Sequence, residues 1–401
     1  MDINVLLILI LNCGTLFCQT ANDTKQLITD LFTKNNYNKH VRPIIDQSMA
    51  STVSVSIDFY LAGISSLDEI SEKLTTTGFL EITWKDEFLT WTSSSYGNLY
   101  TIHYPQSDVW KPDLSLQNGF TKLKELGSSF INVDIQSDGT VTWRPFDIFE
   151  SHCTVDSKYF PFDEQTCDIV FVSWSYNIRE VNLLIGNNGI QYYEYFSSNA
   201  EWSIIGSDVK VIYNALEVKM TFTIKIKRVP QYFVLNLLTP IVLLSILNLF
   251  TFAIPCDSGE RTGYSITVWL SFAVFLTIIN DNLPQSSTSI MAIYAMMQLF
   301  LTTICVIICT LQLRVNGYSE DKDVPRCLTR MVICFTKRDK NKVGNTGKEI
   351  TGKENHDDFI GVSWKDVVST FDFIIFWCLV IAVLLSTVIC FCYVAMSDSS
   401  V

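Results

Sequence analysis

Two periodicities divide the chain. Between about residues 50 and 230 apolar and polar positions alternate. Val53, Val55, Ile57, Phe59 and Leu61 share one face of a strand, and Leu216, Val218, Met220, Phe222, Ile224 and Ile226 share another, opposite Glu217, Lys219, Thr221, Thr223 and Lys225. Side chains alternate between the faces of a strand, so such runs, separated by Gly, Asn and Asp turns, predict an all-β antiparallel sandwich packed on one face. Trp84, Trp91, Trp110 and Trp143 are the expected large residues of its core, and a short helix near Thr24–Phe32 is expected to precede it. Beyond residue 230 the alternation gives way to four uncharged apolar stretches, Tyr232–Ile254, Thr262–Asn280, Ser287–Leu313 and Phe373–Met396. Each is long enough to cross a hydrocarbon core of roughly 30 Å as a helix, which predicts a four-helix transmembrane bundle. Trp364, Val367, Val368 and Phe371 recur at i, i+3, i+4 and i+7, the mark of an amphipathic helix running into the fourth span. The polar, Lys-rich segment from Asn316 to Val362 is expected to be largely disordered.

Composition adds the topology. The apolar run Val5–Leu11 is too short to span and reads as the core of a signal peptide cleaved near residue 20, although Asp2 replaces the usual basic flank. Residues 21–230 then lie outside the cell. Arg326, Arg330, Lys337, Arg338, Lys340 and Lys342 crowd the segment between the third and fourth spans, whereas Asp281–Ser286 carries no basic residue. This asymmetry places the 316–371 segment in the cytoplasm. Of the 12 cysteines only Cys153 and Cys167 remain in the oxidising compartment, which predicts a disulfide between them. Asn22-Asp-Thr24 is a glycosylation sequon. The four histidines are scattered and no nucleotide-binding Gly loop is present, so the sequence points to no enzyme, cofactor, metal or nucleic acid.

The second span carries a stripe. Steps of three and four select Glu260, Gly263, Thr267, Leu270, Val274, Thr277 and Asp281, with acids at both ends and small polar or aliphatic residues between. One reading is a bundle helix whose small residues pack against a neighbour. The other is a pore lining, in which rings of carboxylates attract cations and Leu270 with Val274 forms an apolar gate that closes by dewetting.

Several motifs now converge. Cys153 and Cys167 enclose thirteen residues around Phe160-Pro161-Phe162-Asp163. Trp110-Lys-Pro-Asp113, Trp84-x-Asp86-x-x-Leu89-x-Trp91 and Asp257-Ser-Gly-Glu-Arg261 accompany them. From about residue 25 to 396 the chain resembles a subunit of the Cys-loop, pentameric ligand-gated ion channels, nearest the nicotinic acetylcholine receptor branch. The resemblance implies an extracellular ligand-binding β-sandwich of about ten strands, a pore helix at about 260–281 and five identical or related subunits around a central pore. The implied location is the plasma membrane, with lipids, permeating cations and a small-molecule ligand as partners. It also implies that Phe160, Pro161 and Phe162 form an apolar coupling tip, helped by Glu69, Arg228 and Pro284. The implied layout is 21–230 extracellular, 231–315 the first three spans, 316–371 cytoplasmic, 372–396 the fourth span and 397–401 an extracellular tail.

The ligand site departs from the pattern. In the family, a box of aromatic faces holds an amine by cation–π attraction. Trp174 and Tyr213 match two members of that box. Gln117 stands where a tyrosine is usual, and Phe79 replaces the tryptophan of the complementary face. From Tyr213 the chain passes through Asn214-Ala215 into the last strand without the adjacent cysteines of acetylcholine-binding subunits. Two expectations follow: a cation-selective channel with an atypical transmitter site, or an accessory subunit of a heteropentamer that binds no agonist itself.

Overall fold

The computed structural model describes residues 20–48, 50–215, 217–281, 289–317, 324–336 and 363–398. The segment expected to be a signal peptide, Leu216, Pro284 and most of the basic segment expected to be cytoplasmic lie outside the described residues. The chain divides into two compact units, 1–155 with 164–228, and 156–163 with 229–401.

The first unit opens with helix α1 (Ala21–Ile28), continued by a π-helical turn over Thr29–Lys34. Thr20 caps α1 through a reciprocal exchange with Asp23, which satisfies amides that a helix start leaves unpaired. Eleven strands follow: β1 (Val53–Asp68), β2 (Lys73–Lys85), β3 (Thr101–Pro105), β4 (Leu114–Leu116), β5 (Asn132–Gln136), β6 (Thr140–Trp143), β7 (Phe146–His152), β8 (Glu164–Ser173), β9 (Val181–Ser197), β10 (Trp202–Tyr213) and β11 (Val218–Arg228). They form a seven-stranded sheet in the order β3-β5-β6-β2-β1-β9, with β7 also on β2, and a four-stranded sheet in the order β10-β11-β8-β4. Every pairing is antiparallel except β1 with β9.

The alternating positions turn inward as expected. Val53, Val55, Ile57, Phe59 and Leu61 on β1 and Val218, Met220, Phe222, Ile224 and Ile226 on β11 are all buried. Phe59, Phe149, Phe171 and Phe222 interlock with ring centres 5.3 to 6.0 Å apart. Such contacts add about 0.5–1.5 kcal/mol per pair beyond the area they bury. Trp84, Trp110 and Trp143 are buried, whereas Trp91 packs on the core edge and donates its indole N–H to the Leu99 carbonyl at 2.7 Å. Trp202, which alternation alone does not single out, is as deeply buried as Trp143.

Asp86 sits inside this core. Its carboxylate accepts the Tyr37 hydroxyl at 2.7 Å and the Phe88 amide at 2.9 Å. Burial pushes the Asp86 carboxyl above the ordinary carboxylate range, with those hydrogen bonds pulling the other way.

The second unit contains helices α2 (Gln231–Ala253), α3 (Arg261–Asp281), α4 (Ile290–Asn316), α5 (Arg326–Thr336) and α6 (Trp364–Asp398). All but α5 include a segment long and apolar enough to cross a membrane. Helix α6 is continuous from the amphipathic stretch through the fourth span, with Val367 and Val368 buried. One expectation is corrected: Arg326–Thr336, inside the segment expected to be disordered, is helical. Leu328, Met331, Val332 and Phe335 recur there at helical spacing, a signal that the flanking Lys-rich sequence dilutes.

Candidate functional site

Helix α3 has a buried face and an exposed one, and the exposed one also includes Ile266, Trp269 and Ile278. Arg261, Ser265, Val268, Phe272 and Ile279 are buried against the rest of the unit. All seven positions of the stripe, Glu260, Gly263, Thr267, Leu270, Val274, Thr277 and Asp281, are exposed. Leu270 and Val274 retain 56% and 52% exposure, although aliphatic side chains on a packing face would be covered. Thr267 and Thr277 return their hydroxyls to backbone carbonyls of Gly263 and Val274, at 2.9 and 2.7 Å, so the stripe is smoother than its composition suggests. Just before α3, Gly259 takes φ 72°, a left-handed conformation that glycine adopts without strain, and the chain turns there into Glu260. Asp257, a further acid beside the stripe, accepts a hydrogen bond from the Asn316 amide at 2.6 Å and lies 3.8 Å from Lys365.

The ligand-facing candidates fall into two groups. Gln117 and Trp174 line one cavity of about 220 Å³, together with Tyr176 and Glu217. Trp174 is 63% exposed and is presented by a turn fastened to Asp113. That carboxylate accepts the Ser173 hydroxyl at 2.5 Å and the Ser175 amide, and the Asp113 carbonyl accepts the Trp174 amide at 3.3 Å. Trp110, buried, donates its indole N–H to the Tyr176 hydroxyl at 3.3 Å. The Trp-Lys-Pro-Asp motif thus holds the tryptophan loop from beneath. Tyr213 is exposed at the end of β10, opposite Val218 in register, and the Asn214 amide donates to the Glu217 carbonyl at 2.9 Å. Only residues 214–217 join the two strands. Phe79 belongs to the other sheet, stacked on Tyr60 at 4.8 Å and edge-on to Tyr193 at 5.5 Å.

Sequence reasoning misses Glu217, Tyr176 and Asp113 as site residues. Asp113 lies inside one of the motifs, which is a signal that could have found it. Glu217 occupies the solvent face of an alternating strand, which gives no such signal.

The coupling candidates also have definite surroundings. Arg228, 2% exposed at the end of β11, forms an ion pair with Glu69 at 2.7 Å and lies 4.3 Å above the buried Trp202 ring. Cys153 and Cys167 are disulfide-bonded, with Cα atoms 5.1 Å apart. Both cysteines belong to the first unit, while residues 156–163 of their loop belong to the second. There Phe160 is buried edge-on to Phe233 at 4.9 Å, within a cluster that includes Leu237, Ile241, Val268 and Met291. Pro161 is buried and Phe162 half-buried, and the Lys158 carbonyl accepts the Ile290 amide at 3.0 Å. Asn22 is exposed on α1.

Closing a loop of this length contributes about 3 kcal/mol in the chain-entropy picture. Cys153→Ser or Cys167→Ser should therefore remove most of the chain from the cell surface, as read by surface biotinylation. Wild-type surface levels would contradict this.

Comparison with known proteins fits this geometry. The neurotransmitter-gated ion-channel ligand binding domain matches residues 24–230, and the neurotransmitter-gated ion-channel transmembrane region matches residues 237–333. The chain belongs to the neurotransmitter-gated ion-channel family. Acetylcholine receptor subunit delta of Xenopus laevis is 33% identical over 321 residues, which cover 75% of this chain and 61% of that protein. Neuronal acetylcholine receptor subunit beta-4 of Homo sapiens is 32% identical over 341 residues, covering 82% and 68%. Neuronal acetylcholine receptor subunit alpha-6 of Rattus norvegicus is 30% identical over 309 residues, covering 73% and 60%. The chain thus spans about three-fifths to two-thirds of the length of these receptor subunits. As a member of this channel family it is a multi-pass plasma-membrane protein with an extracellular ligand-binding domain and is not an enzyme.

Proposed function

We propose that this chain is a subunit of a pentameric, cation-selective channel opened by an extracellular ligand at an atypical site. The observation that carries the reading is the stripe on α3, exposed at every position from Glu260 to Asp281 while the opposite face is buried. A helix face that keeps Leu270 and Val274 bare in mid-span, between acidic ends, is suited to facing the lumen of an assembly. Residues 21–230 carry 26 Asp or Glu against 17 Lys or Arg, a field that concentrates cations around the extracellular domain.

The cavity at Trp174 is lined by the aromatic side chains of Trp174 and Tyr176, an amide at Gln117 and, at Glu217, a carboxylate 3.7 Å from the Lys219 ammonium. That set suits a small organic cation that offers N–H donors better than a fully alkylated one, because Glu217 and Gln117 reward hydrogen bonds. A second reading, an accessory subunit, is favoured by the four residues joining β10 to β11, too few to fold over a ligand.

Leu270→Thr tests the pore assignment without a known ligand. Hydrating the apolar girdle should give the chain, expressed alone or with an acetylcholine receptor subunit, a standing ligand-independent current at least about ten times background. Absence of that current in both cases, with normal surface levels, would overturn the pore assignment. Current only on co-expression would select the accessory reading.

A further inference from the structure

We infer that Asp372, on α6 and remote from the stripe, governs ion throughput at the inner end of α3 by positioning Glu260 through Arg261. The inference rests on the pore reading and adds a residue that the stripe does not contain.

Arg261 directly follows Glu260 and is 2% exposed. Its two terminal nitrogens meet both oxygens of Asp372, at 3.0 and 2.7 Å. One of them also donates to the Gln312 side-chain oxygen at 2.9 Å, and the guanidinium lies 4.7 Å over the Phe252 ring. A single side chain therefore ties the start of α3 to α2, α4 and α6. A planar, two-pronged pair of this kind fixes direction as well as distance. On the other side of Glu260, Asp257 is tied to Asn316 of α4. Between the two anchors lies Gly259, where an added Cβ would meet nothing within 4 Å, and the turn before it is closed by the Ser258 amide and hydroxyl donating to the Pro255 carbonyl at 3.1 and 2.8 Å. The Glu260 carbonyl accepts the Tyr264 amide at 2.9 Å, so the orientation of Glu260 follows the first turn of α3, which Arg261 ties to its neighbours.

Two consequences follow from removing Asp372. The first turn of α3 loses its two-pronged stop and keeps only the Gln312 and Phe252 contacts of Arg261, and a rotation of about 20° swings a carboxylate about 6 Å from the helix axis through roughly 2 Å. The guanidinium, still charged, also lies one residue from Glu260 and close in sequence to Asp257, the acids that would take it up. Both effects weaken a ring of Glu260 carboxylates, and both act from a helix that faces away from the lumen.

The test is single-channel conductance of the full chain in the Leu270→Thr background. Asp372→Asn should lower cation conductance at least about two-fold, and Asp372→Glu should stay close to the parent. Adding Asp372→Asn to Glu260→Gln should change little more, because the effect passes through Glu260. Should the single variant not reach the surface, Arg261→Gln/Asp372→Asn, which leaves no unpaired charge, should still conduct less than the parent. Parental conductance in Asp372→Asn or in the double variant, while Glu260→Gln conducts less, would overturn the inference and leave the pore reading intact. Unchanged conductance in Glu260→Gln would overturn both.

Discussion

Glu69→Gln should reduce the surface population of this chain about ten-fold or more. Arg228 is almost completely buried, and Glu69, with which it forms an ion pair, is itself largely covered, with the Trp202 ring closing the other side. Removing the carboxylate takes from this desolvated cation a charge held 2.7 Å away. Losing one partner of a buried pair costs about 3–5 kcal/mol, and the partial exposure of Glu69 places the expected loss toward about 2–4 kcal/mol. Against a domain stability of about 5–15 kcal/mol, that is enough to divert much of the newly made protein to degradation.

The reversed pair, Glu69→Arg with Arg228→Glu, gives a sharper check. It restores the opposite charges but sets a carboxylate over a ring face that favours cations. Rescue should therefore be partial, below half of the wild-type surface level. Full rescue would show that Trp202 contributes nothing, and wild-type levels of Glu69→Gln would show that the pair is ornamental. Surface biotinylation of the three variants reads all of these outcomes.

What is legible in the sequence follows from period. Alternation along β1 and β11 identifies the buried residues because strand geometry repeats every two positions, and the three-four spacing on α3 selects seven exposed positions because a helix repeats every 3.6, although Ile266, Trp269 and Ile278 off that spacing are exposed as well. The family resemblance carries further: Glu69 and Arg228, 159 residues apart and unremarkable singly, do pair at 2.7 Å. Partnership across long separations is less legible when no motif marks both members. Asp372 lies 111 residues from Arg261, and nothing local distinguishes it from an acid at a membrane boundary. Glu217 falls on a polar position of the alternating run and is exposed as its period declares, but period does not reveal that the turn after Tyr213 also sets it beside Trp174 on one cavity. Helix α5 is hidden by its neighbours, since composition averaged over a long segment suppresses an 11-residue amphipathic run.

Ion choice is the second large effect. In a lumen about 6 Å from each carboxylate, one charge lowers a cation's energy by roughly 0.7 kcal/mol in bulk-like water. Five such charges, reduced to about half by physiological salt, leave about 1.6 kcal/mol, roughly a fifteen-fold local enrichment of cations. Glu260→Gln removes that ring and should lower cation conductance several-fold. Asp281, exposed at the other end of α3, would preserve part of the attraction from outside.

Arg261 does not counter the ring, because its charge is already matched by Asp372 on the buried side of the helix. The most direct measurement is the reversal potential of the Leu270→Thr channel under a sodium chloride gradient. A value near the sodium equilibrium potential, moving toward zero in Glu260→Gln, is the predicted result. A value near the chloride equilibrium potential in the Leu270→Thr channel itself would contradict the cation-channel assignment.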